Sequence, residues 1–141
     1  MVIDLRAVNS KTVKFIWPMP FLDVVSSYLS GASVFFELDA FKGYWQFPVV
    51  GNIDCQSFMT PDGIFIPNRL LQGTTNGVFA FQRGMEECLG ELLYDCVLLW
   101  LDDILGYAKS DQALLDALSK VFANSDVSES NSMHYVATPT N

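Results

Sequence analysis

The chain has 141 residues, half of them hydrophobic and 17% charged, with a formal net charge of −8. That apolar content fits about one domain with its own core and excludes a wholly disordered chain, while nine Gly and six Pro without a period exclude a collagen-like one. The charge is lopsided: residues 1–83 carry six basic and six acidic side chains, residues 84–141 two and ten, so the overall basic footprint of a typical nucleic-acid binder is missing.

Val2-Ile3-Asp4-Leu5 reads as a short strand, followed by a polar stretch from Arg6 to Lys14. Trp17-Pro18-Met19-Pro20 is an extended connection, because residues before proline avoid the helical region. Phe21 to Leu29 predicts a helix with Phe21, Val24, Val25 and Leu29 on one face and Gly31 as its stop. Ser33 to Leu38 predicts a buried strand ending at Asp39, and the aromatic–polar alternation of Tyr44 to Val50 predicts another. Cys55–Thr60 and Ile64–Pro67 flank Pro61-Asp62-Gly63, a hairpin signal. From Thr75 to Tyr94 runs the longest helical pattern, with Phe81, Met85, Cys88, Leu89 and Leu92 at spacings of three and four. Cys96–Leu101 and Ile104–Ala108 are apolar runs separated by Asp102-Asp103. Asp111 can cap a last helix striped by Leu114, Leu115, Leu118, Val121 and Phe122. Residues 124–141 are rich in Ser, Asn and Thr and are expected to be a polar, disordered tail, leaving 1–123 as the folded domain.

The three cysteines, Cys55, Cys88 and Cys96, are odd in number and irregular in spacing, which argues against a disulfide framework. No Cys-x-x-Cys is present and the single histidine is His134, so a zinc site is not expected. The longest apolar run is too short to span a membrane. With no secretory leader to be read, a reducing, intracellular setting and no membrane partner are expected.

Asp39 closes one apolar run and Asp102-Asp103 interrupts another. Each has a plain structural reading, as a strand terminator or a hairpin turn. Together, carboxylates at the ends of central strands need a compensating charge. A hard divalent cation with oxygen ligands supplies it, and two such ions about 4 Å apart suit phosphoryl transfer. Asp39 and Asp102 could bridge such a pair if their strands were neighbours.

The flanking residues point to a family. Phe36-Glu37-Leu38-Asp39-Ala40-Phe41-Lys42-Gly43-Tyr44-Trp45-Gln46 resembles the first catalytic motif of reverse transcriptases, and Leu99-Trp100-Leu101-Asp102-Asp103-Ile104-Leu105 resembles their aromatic-x-Asp-Asp hairpin. Leu71-Gln72-Gly73-Thr74-Thr75-Asn76-Gly77 and Phe81-Gln82-Arg83-Gly84-Met85 are similar to the loop and helix between those motifs. Asp4-Leu5-Arg6-Ala7-Val8-Asn9 and Trp17-Pro18-Met19-Pro20 are similar to the fingers segment of gypsy-type LTR retrotransposons. The resemblance covers roughly residues 1–123, in order.

It implies an α+β fold: a polymerase palm with an antiparallel sheet packed on helices, part of the fingers, and no thumb. It implies RNA-directed DNA polymerase activity, a nucleotidyl transfer that uses two Mg²⁺ ions, with Mn²⁺ as the alternative. The partners implied are an RNA or DNA template with its primer, deoxynucleoside triphosphates, and the rest of a retroelement polyprotein. Asp39, Asp102 and Asp103 would be the catalytic metal ligands. Arg6 would hold the triphosphate, where a guanidinium suits bidentate contact, and the backbone of Lys42 and Gly43 would touch the same phosphates. Tyr44 would lie under the sugar and reject a 2′-hydroxyl, with Gln72 beside the nucleotide.

There are departures from the family pattern. Trp100 stands for the usual Tyr or Phe, Gln72 for Phe, Gly77-Val78 for Ala-Pro, and Ala40-Phe41-Lys42 for Leu-Arg-Ser, while Pro48 sits in an expected strand. Activity of this chain by itself is not expected, since the later palm motifs and thumb are not recognisable in it. The alternative is a catalytically inactive retroelement remnant that binds at most a partner. A phosphoacceptor receiver domain also uses an acidic pair and a lone Asp, but in the opposite chain order.

Overall fold

The computed structural model describes residues 3–18, 22–49, 54–127 and 135–138. Its helices are α1 (Arg6–Asn9), α2 (Leu22–Tyr28), α3 (Gly43–Gln46), α4 (Gly77–Leu89) and α5 (Asp111–Val127). Its strands are β1 (Val34–Ala40), β2 (Phe58–Thr60), β3 (Gly63–Phe65), β4 (Val97–Trp100), β5 (Asp103–Ala108) and β6 (Tyr135–Thr138). Short 3₁₀ turns lie at Asp54–Gln56 and Gly90–Leu92. One antiparallel sheet has the order β4-β5-β1-β6, and β2 pairs with β3 in a separate hairpin. The architecture is α+β, as expected. No described helix is long and apolar enough to cross a membrane.

Period-two alternation decides which side of the sheet is dry. Leu38 and Ala40 of β1, Val97 and Leu99 of β4 and Ile104 of β5 point to one face and are buried. Phe81, Met85 and Leu89 of α4 and Val121 of α5 pack onto them in a single cluster. These three residues of α4 recur every four positions, so one helix stripe covers the sheet. At roughly 1.5–3 kcal/mol for each large side chain buried, this contact dominates the stability of the sheet.

The chain departs locally from several sequence expectations. Ile3–Leu5 is coil rather than strand, because the Asp4 carboxylate accepts the Arg6 backbone N–H at 3.1 Å and starts the turn that becomes α1. Val2, Met19, Pro20, Phe21 and Val50, which entered those expectations, lie outside the described residues. β1 runs through Asp39 to Ala40, so Asp39 is inside the strand and does not end it. The strand expected at Tyr44–Val50 is instead the one-turn helix α3, because Lys42 takes φ 52° and turns the chain. Pro48 then makes only an isolated bridge to Arg69 and removes no ladder donor from the sheet. The hairpin at Pro61-Asp62-Gly63 forms with shorter arms, Gly63 supplying φ 140°. The long helical pattern is cut to α4 at both ends: Gly77 starts the helix, and Gly90, at φ 54°, ends it.

Helix α5 is capped one residue earlier than expected, since the Ser110 hydroxyl accepts the Ala113 N–H at 3.4 Å. Its dry face is narrower than the apolar stripe: Ala117 and Val121 are buried, while Leu115 and Phe122 are exposed. The expected boundary at residue 123 also shifts. α5 continues to Val127, and Tyr135–Thr138 pairs with β1 in the segment read as an unstructured tail.

Candidate active site

The sheet's other face holds the acids. In the β1–β5 ladder Asp39 lies opposite Asp103 and Glu37 opposite Leu105. The Ala40 N–H donates to the Asp102 carbonyl at 3.3 Å. That bond makes Ala40 and Asp102 a hydrogen-bonded pair, so Asp39 and Asp103 form the closer, non-hydrogen-bonded kind, with Cα atoms about 4.5 Å apart. Trp100 faces Asp103 across the β4–β5 pairing. One row of side chains therefore runs Trp100, Asp103, Asp39 across three strands.

Asp102 sits in the two-residue turn between β4 and β5, after Leu101 at φ 56°. Two-residue hairpins need positive φ at the first turn position, usually from Gly, Asn or Asp. A leucine there stores roughly 1–3 kcal/mol of strain. Lys42, three residues after Asp39, is a second non-glycine residue at positive φ. These two positions flank the acids, while a third, Tyr94 at φ 68°, precedes β4.

The carboxylates are crowded by like charge. Burial raises the Asp103 carboxyl above its ordinary value, and the charges of Asp102, Glu37 and Asp39 add to the rise. All eight Lys and Arg are among the described residues, and their ion pairs there are Arg6–Asp4 and Arg83–Glu87. None neutralises the acids of the open face. A set of hard oxygen donors without an internal counter-charge fits a divalent cation by its chemistry. The donors have not converged: among the described residues no group of three or more His, Cys, Asp or Glu is arranged to hold an ion.

Tyr44 stands beside these acids. Burial raises its phenol above the usual value, and the charge of Asp102 adds to this. Its ring stacks on Phe81 with centroids 4.6 Å apart and planes 9° from parallel, while Phe47 meets Phe81 edge-on at 5.2 Å. Gly43 is needed here, since a Cβ would come within 2.7 Å of the Phe81 ring. Lys42, Tyr44, Trp45 and Gln72 line a cavity of about 190 Å³. Gln72 and Trp45 also line a larger, mainly apolar one of about 520 Å³ with Phe58, Phe65 and Arg69. A third cavity, about 250 Å³, lies on the acidic face between Val25, Glu37, Leu98, Trp100, Asp103 and Leu105.

The fold thus sets Asp39 opposite Asp103 with Asp102 in the adjoining turn, places Tyr44 within reach of the Asp102 charge, and sets Lys42 and Gln72 beside Tyr44. Arg6 is placed differently. Its side chain is 90% exposed, donates three hydrogen bonds to the Asp4 carboxylate, and lines none of these three cavities. Its helix is tied to the Gln72 loop through Asn9, which donates to the Gly73 carbonyl at 2.8 Å and accepts the Thr75 N–H at 2.9 Å. Sequence reasoning missed Glu37 and Phe81 as site residues. Glu37 was findable, because it lies two positions before Asp39 on the same strand. Phe81 was visible only as a core residue; its second role depends on the turn at Lys42.

A family model described as reverse transcriptase (RNA-dependent DNA polymerase) matches residues 1–130. An RNA-directed DNA polymerase homolog of Oenothera berteroana is 33% identical over 108 residues, which are 76% of each chain. The retrovirus-related Pol polyprotein from transposon 297 of Drosophila melanogaster is 31% identical over 123 residues, 86% of this chain and 12% of that polyprotein. Among solved structures, a prototype foamy virus protease-reverse transcriptase matches with a TM-score of 0.75 at 21% identity, covering 95% of this chain and 17% of that one. A foamy viral protease-reverse transcriptase in complex with double-stranded DNA matches at 0.68 and 21%, covering 98% and 23%. These two structures bear on the fold alone. The chain spans only about an eighth of the Pol polyprotein that it matches.

Proposed function

The chain belongs to the reverse transcriptase family, and on that premise we propose that it carries the catalytic acids of an RNA-directed DNA polymerase from a gypsy-type retroelement. The reaction is attack of a primer 3′-hydroxyl on the α-phosphate of a deoxynucleoside triphosphate, with pyrophosphate leaving. The observation that carries the proposal is the pairing of Asp39 opposite Asp103, with the Asp102 carbonyl bonded to Ala40.

Asp39, Asp102 and Asp103 would hold divalent cations, Mg²⁺ or Mn²⁺. Bound there, such ions make the primer hydroxyl a better nucleophile and stabilise charge on the phosphate oxygens. The other residues position. Tyr44, backed by the buried Phe81, has no room to retreat and would form the wall beneath the sugar, where a 2′-hydroxyl clashes. Gln72 would lie beside the nucleotide at the cavity it shares with Tyr44. Backbone groups of Lys42 and Gly43 would approach the phosphates from the turn that Lys42 makes at φ 52°. Arg6 would reach a triphosphate only after leaving Asp4. Template, primer and the remainder of a polyprotein would complete the channel, as double-stranded DNA occupies the foamy viral relative.

A second reading, a remnant that binds without catalysing, is favoured by the unconverged donor set. Isothermal titration of the chain with Mg²⁺ and a deoxynucleoside triphosphate separates the two. The proposal expects metal-dependent nucleotide binding that Asp102→Asn loses. Metal-dependent binding that Asp102→Asn leaves unchanged would overturn it, and no metal-dependent binding by either protein would favour the remnant.

A further inference from the structure

Deepening that reading and resting on it, we propose that the Lys42 side chain, seated against the rings of Phe41 and Trp45, is the cationic docking point for the triphosphate of the incoming nucleotide. The three observations behind this are local geometry, the lining of a cavity and the distribution of charge.

The Lys42 ammonium lies 5.2 Å from the centroid of the Phe41 ring and 5.7 Å from that of Trp45. Each contact is worth about 0.5–1 kcal/mol at an exposed site. A lysine stem ordinarily loses much rotamer entropy when its head is fixed. Two aromatic rings meet part of that cost before any ligand arrives. Both rings are about half exposed, so they serve the lysine rather than the core.

Lys42 is also the only basic residue lining the cavity of Tyr44, Trp45 and Gln72. The three arginines are engaged elsewhere: Arg6 by Asp4, Arg83 by Glu87, and Arg69 by the Gln46 carbonyl at 2.9 Å. Among the described residues no carboxylate lies within ion-pair distance of Lys42. The charge of Asp102, which reaches Tyr44 on the wall of this cavity, repels any polyphosphate that enters. An unpaired ammonium at the cavity wall is the counter-charge this chain provides.

The experiment measures binding, in EDTA at low salt, of dTTP and of inorganic tripolyphosphate to the purified chain. Isothermal titration is applied to the wild type, Lys42→Gln, Lys42→Arg and Trp45→Leu. All the substituted side chains are exposed, and unchanged thermal unfolding verifies the fold. Lys42→Gln is expected to weaken both ligands about tenfold, as loss of one charge-assisted contact would. Lys42→Arg should stay within about threefold, since guanidinium binds phosphate and stacks on aromatics, and Trp45→Leu should lose about threefold. Wild type binding that Lys42→Gln leaves unchanged overturns the docking role while leaving the nucleotide site intact. No binding by the wild type in EDTA overturns the docking role and leaves the proposed function standing, since that reaction also holds its nucleotide through divalent cations. Binding of dTTP without tripolyphosphate would place recognition on the nucleoside and also refute the proposal.

Discussion

The three strands β1, β4 and β5 have two faces, and the faces are built on opposite rules. On one, Leu38, Ala40, Val97, Leu99 and Ile104 are dry and interlock with α4 and α5. On the other, Glu37, Asp39 and Asp103 gather like charge that no cation of the described chain balances. The side chains come from alternating positions of the same strands, so the steps Leu38–Asp39–Ala40 and Asp103–Ile104 cross between stability and chemistry, while on β4 Leu98 is buried on the acidic side as well. Tolerance to substitution should therefore change sharply between neighbours.

The largest expected effect is on the dry face. Met85 is fully buried under the sheet, and Met85→Ala should cost about 2–5 kcal/mol through lost transfer energy and the cavity left behind. Asp39→Asn, one strand away but on the open face, should cost none of this and leave the urea midpoint where it was or higher. Urea unfolding of both proteins checks the contrast. A cost for Met85→Ala below about 1 kcal/mol would mean that α4 does not seal the core as described.

Much of this contrast was legible in the chain itself. Runs of apolar residues broken by Asp39 and by Asp102-Asp103 gave the central strands, and the spacing of Phe81, Met85 and Leu89 gave the covering helix. What failed was local backbone geometry. Tyr44–Val50 alternates like a strand, yet Lys42 at positive φ turns it into α3. Nothing in a lysine announces a left-handed conformation; the turn seats Gly43 against Phe81, a contact that exists only once α4 is packed on the sheet. The partner of Arg6 was not read either, since Asp4, two residues away, accepts its guanidinium.

A smaller effect, of opposite sign, is expected on the acidic face. The Asp103 carboxyl is raised by burial and by its acidic neighbours, so the folded chain holds that proton more tightly than the unfolded chain does. The resulting stability is fully present below the ordinary carboxylate value of 3.8 and is lost as pH rises through the raised one. At neutral pH in EDTA, Asp103→Asn should therefore melt higher than the wild type, and the gap should close as the pH falls below 3.8. Added Mg²⁺ should narrow it from the other side by stabilising only the wild type. A variant that melts lower at neutral pH would show that the face is balanced by a charge the ladder does not reveal.

The smallest effect sharpens the comparison further, because it removes the same kind of charge from the opposite setting. Glu87 accepts a hydrogen bond from Arg83 at 2.8 Å, one helical turn away and in full view of solvent. Such i,i+4 pairs are worth about 0.3–0.5 kcal/mol. Glu87→Gln should lower stability by no more than that, whereas Asp103→Asn should raise it. Both neutralise one exposed carboxylate, so net charge alone predicts a gain for each in a chain at −8. Opposite signs would assign the difference to local partners: one carboxylate has a guanidinium and the other has only carboxylates. Salt supplies the control, since both shifts should shrink in 1 M NaCl, where screening acts within about 3 Å. A destabilisation by Glu87→Gln that persists in high salt would point instead to the seating of the Arg83 guanidinium, whose Cζ lies 5.4 Å from the centroid of the Trp17 ring.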